Sequence, residues 1–133
     1  MPYENSWLLK NRIARMRLYS EITPDEIVIG CTRLRYDFLD KSINPVHLLI
    51  IAENLKSAPH DFSALQNAFQ VLFRQKNAGW MIVIGLHHPL MRFIAMTISR
   101  SQDRFKGVAT LDAALVHLYQ VDPELPMIST AVE

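Results

Sequence analysis

The sequence predicts an α/β fold: a mixed, mostly parallel sheet of four or five strands with an N-terminal β-hairpin and four helices, in the order ββαβαβαβα. Two runs carry most of this expectation. Val46–Ala52 and Trp80–Gly85 are short and nearly unbroken in apolar character, as parallel strands buried on both faces are. Each then leads through a polar stretch into a helical apolar pattern, which makes a strand–helix unit. The opening residues supply the third observation, two short strand patterns joined by a turn.

Those first strands are Trp7–Leu9 and Ile13–Tyr19, joined across Lys10-Asn11-Arg12, where asparagine tolerates the positive φ of a tight turn. In the second strand Ala14, Met16 and Leu18 face one way and Ile13, Arg15, Arg17 and Tyr19 the other. Thr23-Pro24-Asp25-Glu26 is the clearest local signal: threonine as N-cap, proline at the first helical position and a glutamate that can close a capping box. The helix it opens carries Ile27, Cys31, Leu34 and Phe38 on one stripe and ends before Asn44-Pro45. After the Val46 strand, Glu53 to His60 is expected to be a polar connection, with Asp61 capping a second helix. Its stripe is Phe62, Leu65, Phe69, Leu72 and Phe73, and Lys76-Asn77-Ala78-Gly79 closes it with glycine past the helix end. The Trp80 strand runs into His87-His88-Pro89 and a third helix with Leu90, Phe93, Ile94, Thr97 and Ile98 inward. Arg104–Ala109 is a last strand, and Thr110 caps a final helix with Leu111, Ala114, Leu115 and Leu118 inside, ending near Asp122-Pro123. Residues 1–122 thus form a single domain, and 123–133 are expected to be a flexible tail.

A hairpin, a capped helix and repeated strand–helix units, from about Trp7 to Val121, resemble the STAS family of anti-sigma-factor antagonists and sulphate-transporter cytoplasmic domains. The resemblance implies the STAS fold and a regulatory, partner-binding role in a bacterial cytoplasm. In that family the strand matching Val46–Ala52 leads to an aspartate and an Asp-Ser-Ser-Gly turn, whose serine is phosphorylated by a partner kinase. Here the region reads Glu53-Asn54-Leu55-Lys56-Ser57-Ala58-Pro59-His60-Asp61-Phe62-Ser63. The signature is absent; Ser57 and Ser63 are the nearby hydroxyls, and neither has the expected neighbours. A role without a phosphoswitch follows.

Composition narrows the classes. Half of the 133 residues are apolar, enough to bury a core, and the net charge of +1 offers no field to attract nucleic acid or an anionic membrane. The single cysteine, Cys31, excludes an internal disulfide and fits a reduced compartment; on an apolar stripe it reads as a small core residue. No apolar run approaches the roughly 20 residues that span a bilayer, and Met1–Asn5 lacks the features of a signal peptide. A cytoplasmic domain without membrane insertion is the expectation.

Ligands of open α/β sheets bind beyond the carboxyl ends of the strands, and the most polar loops fall there. Glu53, Asn54, His60 and Asp61 follow one central strand, and His87 and His88 follow the next. These six are the candidate ligand-binding residues, suited to an anionic or apolar small molecule. Their spacing matches no metal-ligand pattern, so no metal and no cofactor is expected. No Gly-x-Ser-x-Gly elbow, His-Glu-x-x-His or Gly-rich phosphate loop is present, and no catalytic residue is assigned. Lys10, Arg12, Arg15 and Arg17 on the hairpin, with Arg33 and Arg35 on the first helix, read as a charged edge that deters strand pairing, not as a nucleic-acid surface.

If right-handed connections place every helix on one side of the sheet, the other apolar face of the central strands needs a cover, from a helix that crosses over or from another protein. The sequence therefore favours a non-enzymatic regulatory or protein–protein interaction domain, with a protein partner or a homodimer. A small-molecule-binding domain using the strand-end loops is the alternative.

Overall fold

The hairpin forms as its pattern requires, and it is longer than expected. Strands β1 (Tyr3–Leu9) and β2 (Ile13–Glu21) pair antiparallel, and Asn11 takes φ 67° in the turn between them. The computed structural model describes residues 3–42, 45–57, 62–75, 77–85, 92, 96, 100 and 103–126.

Helix α1 (Pro24–Leu34) starts at the expected capping box. The Glu26 N–H donates to Thr23 Oγ1 at 3.2 Å, and the Thr23 N–H donates to Glu26 Oε1 at 3.0 Å. Ile27, Cys31 and Leu34 are buried, and the Cys31 thiol is pushed up to about 12 by that burial. Beyond Leu34 the chain continues as one π turn (Arg35–Leu39), in which the Asp40 N–H donates to the Arg35 carbonyl at 2.9 Å. The extra residue per turn brings Leu39 inward in place of Phe38. Phe38 is half-buried and meets Trp7 edge-on, ring centroids 4.9 Å apart.

Strand β3 (Val46–Ser57) corrects the expected polar connection after Ala52. It continues to Ser57 because the end of β2 still offers a partner: Tyr19 pairs with Asn54, Ser20 with Leu55 and Glu21 with Ser57, while Leu55 packs on the core. Helix α2 (Phe62–Phe73) buries Ala68, Phe69 and Leu72; the cap at Asp61 and the side chains of Phe62, Leu65 and Phe73 lie outside the described residues. Strand β4 (Ala78–Ile84) begins earlier than expected, so Ala78 and Gly79 belong to the sheet and not to a helix end. The third expected helix lies mostly outside the described residues; Arg92, Met96 and Arg100 there are helical. Strand β5 (Phe105–Val108) and helix α3 (Leu111–Val121) complete the order, with Thr110 Oγ1 accepting from the Ala113 N–H at 3.2 Å.

Among the described residues five strands lie in chain order, β1-β2-β3-β4-β5, with only the β1–β2 pair antiparallel. Alternation sorts the side chains as expected. Ala14, Met16, Leu18, Val46, Leu48, Ile50, Ala52, Met81 and Val83 meet α1, the π turn and α2 on one face.

The opposite face holds Ile13, Leu49, Ile51, Ile82 and Ile84 in one cluster with Ala114, Leu115 and Leu118 of α3. Of the two covers expected for this face, a helix that crosses over is the one found: α3 lies on it. It follows β5 and returns to no further described strand, so crossover handedness does not restrict it. Leu125, three residues beyond Asp122, is buried in the same cluster, so packing extends into the segment expected to be a tail. The uncovered apolar face that favoured a homodimer is therefore covered from within the chain.

Two substitutions test this packing by urea denaturation. Thr23→Ala is expected to remove about 1 kcal/mol through the lost cap. Leu118→Ala is expected to remove about 2–5 kcal/mol, and a change under about 1 kcal/mol would show that α3 does not cover the second face.

Candidate functional site

The polar centre among the described residues lies at the amino ends of β3 and β4, opposite to the ends where ligand residues were expected. It is built around His47. Alternation along β3 points this side chain to the α3 face, where it is 4 % exposed, so its ring nitrogens need partners within the protein. Both have them. The Trp80 backbone N–H donates to Nδ1 at 3.0 Å, and Nε2 lies 3.0 Å from Asp122 Oδ2. An N–H at Nδ1 makes that nitrogen the acceptor, so neutral His47 carries its proton on Nε2 and donates it to the carboxylate. Arg12 Nη2 donates to the same oxygen at 2.6 Å, and the Arg12 carbonyl accepts from the His47 N–H at 2.8 Å.

Three segments distant in sequence thus meet: the hairpin end, the start of β3 and the residue that terminates α3. Gly79 makes room for the ring. A Cβ there would overlap His47 Nδ1 and lie 2.9 Å from Cε1, so only glycine fits while the imidazole keeps its place. Asn77 ties the neighbouring loop, donating from Nδ2 to the carbonyls of Leu39 and Ser42, while its own carbonyl accepts from the Val46 N–H at 2.7 Å.

Electrostatics follow from this packing. Burial holds His47 below the ordinary histidine pKa; the Asp122 hydrogen bond and charge oppose this, and the nearby Arg12 and Arg104 charges add to it. For Asp122 burial acts upward, but hydrogen bonds from His47 and Arg12 and the Arg12 charge prevail, so its carboxyl sits below the usual range. His117 on α3 meets the Trp80 ring edge-on at 4.4 Å, and its Nε2 is buried without a hydrogen-bond partner. Burial, then the charges of Lys106 and His47, hold His117 low as well.

Over this network lies an open cleft of about 350 Å³, lined among others by Arg12, His47, Trp80, Arg104, Asp122 and Glu124. Its chemistry is that of ion pairing and hydrogen bonding. Both nitrogens of His47 are engaged, and Cys31 lies in the other core cluster. Among the described residues there is no group of three histidine, cysteine or acidic side chains placed to hold a metal.

The expected ligand residues fare differently. Glu53 and Asn54 are exposed on β3. β3 and β4 are adjacent, and Glu53 packs so closely on Gly85 (φ +79°) that a Cβ at Gly85 would lie 2.8 Å from Glu53 Cγ. His60, Asp61, His87 and His88 lie outside the described residues. Ser57 ends β3 and Ser63 is in the first turn of α2; neither side chain is described. Of the basic cluster, Arg12 pairs with Asp122, Arg15 Nε donates to Ser6 Oγ at 2.8 Å, and Arg35 lies 3.8 Å from Asp40.

His47 escaped the sequence reading because it sits inside an apolar run. The one available signal was that a histidine on a strand buried on both faces needs partners; nothing in the sequence pointed to Asp122, 75 residues away.

Removing the carboxylate should leave a buried N–H and a guanidinium without their acceptor. Asp122→Ala is expected to lower stability by about 1–3 kcal/mol in urea denaturation. Gly79→Ala is expected to cost about 1–3 kcal/mol by forcing the ring aside. Wild-type stability in both variants would contradict this geometry.

Neither a protein-family model nor a curated protein matches the sequence. No helix of the described residues is long and apolar enough to cross a membrane. Four solved chains match in structure. Among them is the anti-sigma factor antagonist SpoIIAA in its unphosphorylated form: TM-score 0.55, 15% sequence identity, covering 87% of this chain and 96% of that one. The likeness is one of fold alone: the chain has a STAS-like fold, as its element order suggested.

Proposed function

We propose that this chain is a non-enzymatic regulatory domain of the bacterial cytoplasm that works by binding another protein. The observation that carries this reading is the likeness of nearly the whole chain to an anti-sigma factor antagonist. The missing Asp-Ser-Ser-Gly signature around Ser57 and Ser63 favours binding that is not switched by phosphorylation.

A surface for such contact is available on α1 and the π turn. Val28, Ile29 and Tyr36 are 37%, 47% and 54% exposed, beside the charged side chains of Arg33 and Asp37. Apolar anchors within a charged surround suit a protein partner. Self-association is the lesser form of the same reading, because α3 already occupies the second sheet face. A small-molecule site at the carboxyl ends of β3 and β4 is the second reading, supported by the close approach of Glu53 to Gly85.

Cross-linking in cells from a photoreactive residue at position 29, followed by mass spectrometry, tests the proposal. A recurrent partner is expected, and it should be lost on Val28→Asp with Tyr36→Ala while circular dichroism and Tm stay unchanged. A cross-linked product of twice the chain mass would identify self-association. The same set of products from both proteins, or none from either, would contradict the reading.

A further inference from the structure

We propose that His47 is an acid-sensitive latch: while neutral it ties the end of α3 to β4, and on taking up a proton it gives up its bond to β4 and turns away together with that end. The inference rests on the hydrogen-bond geometry and does not depend on the proposed function.

In the neutral state the imidazole is a two-ended bridge. Trp80 N–H donates to Nδ1, and Nε2–H donates to Asp122, the residue that closes α3. The Asp122 N–H donates in turn to the Leu118 carbonyl at 2.8 Å, and the Leu125 N–H to the Asp122 carbonyl at 3.1 Å. Asp122 therefore links the bridge both to the last turn of the helix and to the turn that buries Leu125.

Protonation fails on one side only. An N–H at Nδ1 would point at the Trp80 N–H, so two donors would face each other where one hydrogen bond had been. The ring cannot slide toward β4, because Gly79 leaves space only for its present position. It must turn away and carry its remaining bond, to Asp122, with it.

The surrounding charges oppose the proton. Arg12 and Arg104 line the cleft, and Lys106 on β5 acts on His117 of α3, whose ring meets Trp80; Asp122 and Glu124 are the facing carboxylates, the former already shared with Arg12. With a folded pKa below the unfolded one, His47 contributes stability in full above the ordinary value of 6.5, and that contribution is lost as pH falls through the folded value. His117 is shifted the same way, so the test must separate the two.

Backbone amide and histidine ring NMR, titrated from about pH 7.5 to about pH 5 where histidines change charge, reads the latch directly. The Trp80 amide is expected to lose its hydrogen-bonded shift with the midpoint of the His47 ring. Amide exchange at Asp122 and Leu125, corrected for intrinsic pH dependence, should accelerate over the same range. His117→Gln should keep this behaviour, and His47→Gln should abolish it. If His47→Gln does not fold, coincidence of the Trp80 and His47 midpoints in the wild-type protein decides the matter. A Trp80 amide that stays constant while His47 titrates, or that follows His117, would overturn the proposal.

Discussion

Over Val46–Ala52 of β3 and Met81–Ile84 of β4 the central strands have no wet side. Between them, Leu48, Leu49, Ile50, Met81, Ile82 and Ile84 are all essentially excluded from water. At about 1.5–3 kcal/mol for each large apolar side chain fully buried, leaving either face open would remove a large part of the few kcal/mol by which a domain of this size is stable. The other elements take their places from that demand. Helices α1 and α2, which connect successive parallel strands, cover one face as handed crossovers require. Helix α3, free of that restriction, supplies the other cover.

The polar network is a consequence of the same constraint. Alternation sends residue 47 to the face that α3 closes, and there a histidine survives only with both nitrogens bonded. That fixes the tautomer, requires an acceptor at the end of α3, which Asp122 supplies, and demands a glycine on β4. Arg12 adds its charge and so draws the hairpin into the arrangement. One buried imidazole therefore constrains two distant positions, 79 and 122, and it joins the sheet to the helix that completes its core.

Much of this was legible in the amino-acid pattern. The Thr23 capping box, the Asn11 turn and the alternation of Val46–Ala52 are local signals, and each appears at its expected place. Element ends were harder to place. The continuation of β3 to Ser57 depends on the length of β2, and the start of β4 at Ala78 on its pairing with Val46. The π turn after Leu34 shifts the inward position by one residue, which a regular helical stripe does not foresee. The side taken by α3 was unreadable because no following described strand constrains it. The candidate site was misplaced for a related reason. Polar loops at strand ends attract attention, whereas the engaged polar group sits in an apolar run and its partner lies at the far end of the chain.

The functional reading draws on the same architecture. The covered second face removes the simplest argument for a dimer and moves attention to the apolar side chains exposed on α1. The cleft above His47 is held by ion pairs that the chain makes with itself, so its chemistry serves the fold first.

The most direct test of this account is a methyl-resolved NOE experiment on the protein labelled at isoleucine and leucine. The account predicts cross-peaks joining Ile82 and Ile84 of β4 to Leu115 and Leu118 of α3. Their absence in the folded protein, with the β4 isoleucines accessible to a soluble paramagnetic probe, would contradict it.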